Sequence, residues 1–102
     1  MQEVQINGLQ DNQLIVTLSG DIDLGNADEF YNAVITAYNQ TPASITFVCD
    51  SLNFIDSTTL GTFVKILKTI KTDGFAMRLS GLQPKIKKLF VICALDSIIQ
   101  ID

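Results

Sequence analysis

The chain has 102 residues, a formal net charge of −4 and 47% hydrophobic residues. Such a chain can bury one sizeable core, so a single domain over 1–102 is expected and a disordered or low-complexity chain is excluded. The acidic balance argues against a direct nucleic-acid partner, because phosphate backbones are held by basic surfaces.

Val4 and Ile6 alternate with Glu3, Gln5 and Asn7, the two-residue period of a half-buried strand. Asn7-Gly8 and Asp11-Asn12 carry turn chemistry, and Leu14, Val16 and Leu18 alternate with polar or branched neighbours up to Gly20. Together the two runs predict an antiparallel hairpin. After Asp21-Ile22-Asp23-Leu24 the period becomes helical, with Ala27, Phe30, Tyr31, Val34, Ile35 and Tyr38 on one stripe. Asn26 and Glu29 have the spacing of a capping box, and Thr41-Pro42 ends the helix.

Ile45 to Cys49 is nearly all apolar, as in a central strand covered on both faces. The stretch Phe54-Ile55-Asp56-Ser57-Thr58-Thr59-Leu60-Gly61 joins that strand to a second helix beginning near Thr58. Leu60, Phe63, Val64, Leu67 and Ile70 form its inner stripe, Lys65, Lys68, Lys71 and Thr72 face water, and Asp73-Gly74 closes it. Phe75 to Leu79 predicts a further strand, ended by Ser80-Gly81. Pro84 suits the first turn of a third helix, with Ile86, Leu89, Phe90 and Cys93 inward and Lys85, Lys87 and Lys88 on its solvated face. Asp96-Ser97 marks a turn before a last short strand, Ile98 to Ile101. The order β-β-α-β-α-β-α-β predicts an α/β fold: a mostly parallel central sheet, the N-terminal hairpin strand at one edge, and helices mainly on one face.

The chain has no histidine, which removes the Ser-His-Asp and Cys-His triads and the commonest metal ligand. Its glycines follow neither nucleotide-binding spacing. Cys49 and Cys93 are too few and too far apart for a metal knuckle or a redox pair, and both read as small core residues. No cofactor and no metal are expected. Asp21 and Asp23 would share a side of an extended segment. A paired-carboxylate or divalent-cation site with Asp50 or Asp56 is one reading of them, and a solvated acidic loop is the other. Met1-Gln2-Glu3-Val4 does not read as a signal peptide, and no apolar run reaches the ~18 residues of a membrane span. A cytoplasmic location without a membrane partner is expected.

What remains is Ser57. At a strand-to-helix turn its hydroxyl would lie beside the unpaired N–H groups and the positive dipole end of a helix, which can hold an anion. From these residues alone the plainer reading is that Asp56 or Ser57 is an ordinary N-cap. A phosphate there would add about −1.5 to −2 charges at one surface point. Trapped against a partner, it would weaken binding by about 3 to 4 kcal/mol, several-hundred-fold.

Gly20-Asp21-Ile22-Asp23, Asp50-x-x-x-Phe54-Ile55-Asp56-Ser57-Thr58, Leu60-Gly61 and Gln83-Pro84-Lys85-Ile86-Lys87-Lys88-Leu89-Phe90 stand in an order that resembles the anti-sigma factor antagonists of the STAS family. The resemblance runs over nearly the whole chain, to Ile98-Ile99-Gln100-Ile101. It implies that Ser57 is phosphorylated by a partner that is both an ATP-dependent serine kinase and an anti-sigma factor, with Thr58 and Thr59 as secondary acceptors. It also implies that the unphosphorylated form binds that partner and frees a sigma factor, and that a PP2C-type phosphatase restores the serine. The chain would then be no enzyme, and Asp23, Asp56, Ser57, Thr58, Thr59, Leu60 and Gly61 would form the partner surface. Thr59 departs from the Gly or Ala usual in the family, and its branched side chain is expected to narrow a partner's approach. Two other readings stand beside this one: a nucleotide or lipid sensor built on the Asp23–Ser57 region, and a scaffold or transporter regulator without phosphorylation.

Overall fold

The computed structural model describes residues Met1–Asp102. Two strands, β1 (Val4–Gln10) and β2 (Gln13–Ile22), are followed by α1 (Ala27–Gln40), β3 (Ser44–Ile55), α2 (Ser57–Thr72), β4 (Met77–Ser80), α3 (Pro84–Ile92) and β5 (Gln100–Ile101). A single 3-10 turn, Leu95–Ser97, precedes β5. The sheet order is β1-β2-β3-β4-β5. β1 pairs antiparallel to β2, and all later pairs are parallel. The expected order of elements and the edge position of the hairpin strand hold.

The hairpin reverses at Asp11-Asn12 alone, with φ of 52° and 65° and Gln10 paired to Gln13. Positive φ at both loop residues suits the right-handed twist of the flanking strands. Asn7-Gly8, expected to share in the reversal, is instead a bulge inside β1, where Gly8 takes φ +84°.

β2 sends Leu14, Val16, Leu18 and Ile22 to one face, where all are buried. On that face Phe63 of α2 meets Phe30 of α1, Phe47 of β3 and Phe90 of α3, with edge-on rings 5.1 to 5.4 Å apart. A shared contact among all three helices places them on the same side of the sheet. The other face carries no helix, so β3 is not covered on both sides as its apolar run suggested. There Val48 is half-buried and the Thr46 hydroxyl bonds the Gln13 side-chain oxygen.

Several boundaries differ from the expectations. β3 runs on past Cys49 to Ile55 because β2 lies alongside, with Ser19 opposite Ser51 and Ile22 opposite Ile55. Phe75 precedes β4, its N–H spent on the Ile70 carbonyl. Ile98 and Ile99 both donate to the Leu95 carbonyl, which shortens the last strand to two residues. In α2, Ile66 is buried while Val64 is only half-buried. Cys49 is a core residue, but Cys93 caps the C-terminus of α3 and is exposed.

Candidate functional site

β3 and α2 meet at Asp56, the N-cap of α2, which has an extended backbone. Its Oδ1 accepts the Thr59 N–H at 2.9 Å, the bond expected of such a cap. Its Oδ2 accepts the Leu24 N–H at 2.9 Å, from the loop between β2 and α1. One carboxylate therefore ties together two segments 32 residues apart in sequence. The Thr59 amide above all, then the Leu24 amide and the Thr59 hydroxyl, hold Asp56 below its ordinary pKa of 3.8 despite partial desolvation.

The β2–α1 loop has its own framework. Asp23 accepts the Gly25 N–H at 2.9 Å through its carboxylate. Asn26 accepts the Asp23 N–H at 2.8 Å and donates to the Asp21 carbonyl at 3.0 Å. That occupies the Asn26 side chain, so the capping box with Glu29 does not form. No three acidic or thiol groups converge as a metal cage would require.

On this support Ser57 is the first residue of α2 and is exposed, as are Thr58 and Gly61. The N–H groups of Ser57 and Thr58 have no acceptor within the protein, so two donors and the helix dipole stand free beside the Ser57 hydroxyl. The structure thus brings Asp23, Asp56, Ser57 and Thr58 to one surface.

Two expected surface residues lie elsewhere. Thr59 is fully buried. Its hydroxyl donates to the Ile22 carbonyl at 2.6 Å and lies 3.0 Å from Asp56 Oδ1. It therefore neither narrows a partner's approach nor offers an acceptor for phosphate. Leu60 turns inward and is only 9% exposed. Two apolar side chains next to the turn are exposed although their residue type does not mark them as surface residues, Leu24 (76% exposed) and Phe54 (48% exposed). An apolar residue within the polar Asp21–Asn26 stretch was the available signal for Leu24.

The STAS domain family model matches residues 3–102. An anti-sigma-B factor antagonist of Bacillus subtilis (strain 168) is 30% identical over 92 residues, covering 90% of this chain and 84% of that protein. A solved structure of a candidate anti-sigma factor antagonist of Thermotoga maritima superposes with a TM-score of 0.85 at 27% identity, over 96% of this chain and 82% of that one. The phosphorylated form of the Bacillus cell fate determinant SpoIIAA superposes with a TM-score of 0.76 over 97% of this chain and 90% of that one. At 18% identity that last likeness is one of fold.

Proposed function

The chain belongs to the STAS domain family, and on that premise we propose that it is an anti-sigma factor antagonist whose partner binding is switched by phosphorylation of Ser57. The observation that carries the reading is an exposed serine at the first position of a helix, beside two unpaired N–H groups. The similarity to the Bacillus subtilis anti-sigma-B factor antagonist supports the choice of partner class. The partner is an anti-sigma factor with ATP-dependent serine kinase activity, and a PP2C-type phosphatase reverses the modification, both in the cytoplasm. The protein is their substrate and ligand, not a catalyst.

The physical basis of the switch is local. Unphosphorylated, the turn offers a neutral hydroxyl, and the exposed apolar side chains of Leu24, whose N–H is held by Asp56, and of Phe54, at the end of β3, gain by leaving water. A phosphate on Ser57 can be solvated in the free protein and met by the free N–H donors. Under a partner it becomes a dianion stripped of water, with no cation supplied by this turn.

Phosphopeptide mass analysis of the protein purified from its own cells is the first test, with one phosphoryl group expected on the peptide containing Ser57. Phosphate on Thr58 would move the site by one residue, and an absence of phosphate under all growth conditions would remove the switch. In calorimetric titrations with the anti-sigma factor, Ser57→Ala should bind as tightly as the unmodified protein and Ser57→Asp should bind far more weakly. Equal affinities would overturn the proposal.

A further inference from the structure

Beside the Ser57 turn lies a groove of about 200 Å³ between the end of β3 and α3, lined by Asn53, Phe54, Ile55, Lys85, Ile86 and Leu89. Small-molecule sites commonly run to about 300–1,000 Å³, so the groove suits an inserted side chain better than a whole ligand. Asn53, one of the lining residues, accepts a hydrogen bond on Oδ1 from Gln83 Nε2 at 3.2 Å, which ties the end of β3 to the start of α3. Along α3 the spacing of Lys85, Leu89 and Ile92 puts all three on one side of the helix, and Ile92 is 69% exposed. The groove thus continues as an apolar strip with a cationic entrance.

The charge around it is unusual for this chain. All six lysines lie on α2 or α3, and none is paired with a carboxylate, the salt bridge present being Arg78–Asp102. Lys65 rests on the Tyr31 ring, 4.2 Å from its centroid, and the other five are left to solvent. In a chain of net charge −4, α2 and α3 carry all the lysines, and Lys85 lines the groove itself. An unpaired cation at the groove selects an acidic protein segment, while the net negative charge of the chain opposes adsorption to an anionic membrane.

We propose that this groove is a second docking point for the protein partner, receiving one apolar side chain from an acidic segment whose carboxylates meet Lys85 and its neighbours on α3. The inference rests on the partner-binding reading of the Ser57 turn, and it adds a contact that phosphate on Ser57 does not occupy.

The test places a photo-crosslinking benzoylphenylalanine at position 92, and separately at position 58, in the full chain expressed in its own cells. Both positions should capture the same anti-sigma factor, and the peptide joined to position 92 should carry carboxylates beside a large apolar residue. Lys85→Glu should abolish capture at position 92 and weaken association with the purified partner about tenfold, with a reduced dependence on salt. Capture at position 58 alone would overturn the groove and leave the Ser57 reading intact. Capture of lipid or of a second copy of this chain at position 92, or of nothing at either position, would overturn the proposal as well.

Discussion

A threonine in the first turn of a helix ordinarily costs a little helix propensity. At position 59 that cost is offset by a buried bond from its hydroxyl to the carbonyl of Ile22, 37 residues away. Thr59→Val should leave that carbonyl without its donor and destabilise the protein by about 1–3 kcal/mol, whereas Thr59→Ser should retain most of the stability. Urea unfolding of the two variants checks this, and equal midpoints would mean that the bond contributes nothing. Asp56 makes a different prediction. Its folded-state pKa is lowered, so in acid the unfolded chain binds the proton more readily than the folded one. Its contribution is complete above the ordinary value of 3.8 and is lost as pH falls through the lower folded value. Asp56→Asn keeps one acceptor for the Thr59 N–H, loses the bond to the Leu24 N–H and cannot ionise. Its melts between pH 5 and pH 2, the approximate range of carboxylate titration, should therefore start lower but show a shallower acid decline than in the parent protein. The short pattern Asp56-Ser57-Thr58-Thr59 disclosed the cap. The cross-links to Ile22 and Leu24 were not legible, because they depend on how a distant loop lies in space.

Among the elements, the helices were the most legible. α1 and α2 each have an apolar stripe of period 3.6 and a distinct stop, Thr41-Pro42 for α1 and Asp73-Gly74 for α2. Strand ends were less so, because a strand lasts as long as its neighbour offers hydrogen bonds, whatever its side chains. β3 shows this: Asp50, Ser51 and Asn53 are exposed yet remain in the strand because β2 extends alongside. The hub of the packing was visible only as one apolar residue among many. Phe63 touches an aromatic ring from each of α1, β3 and α3 and is fully buried. Phe63→Ala should cost about 3–5 kcal/mol, as large-to-small changes in tight cores do. Val64→Ala, one residue on and half-buried, should cost distinctly less in the same denaturant series.

For the molecule as a whole, the two cysteines offer a direct measure of integrity. Burial, and then the nearby Asp50 carboxylate, push the Cys49 thiol up to about 12, while Cys93 is open to solvent. A thiol reagent should therefore modify one cysteine at once and the second only at the rate at which the core opens. Fast reaction of both in the native protein would contradict the packing of β3. The longest helix has 16 residues, and no helix is long and apolar enough to cross a membrane.

The sheet order β1-β2-β3-β4-β5 is also the order in which the chain is made. Each strand emerging during synthesis finds its partner already present at the open edge, and none must be inserted between two strands that have already paired. The two-residue hairpin forms first from neighbours in sequence, and each later helix–strand unit closes a loop of modest length upon it. Growth from one edge lets folding follow translation, and it leaves β5, the shortest strand, as the final stitch.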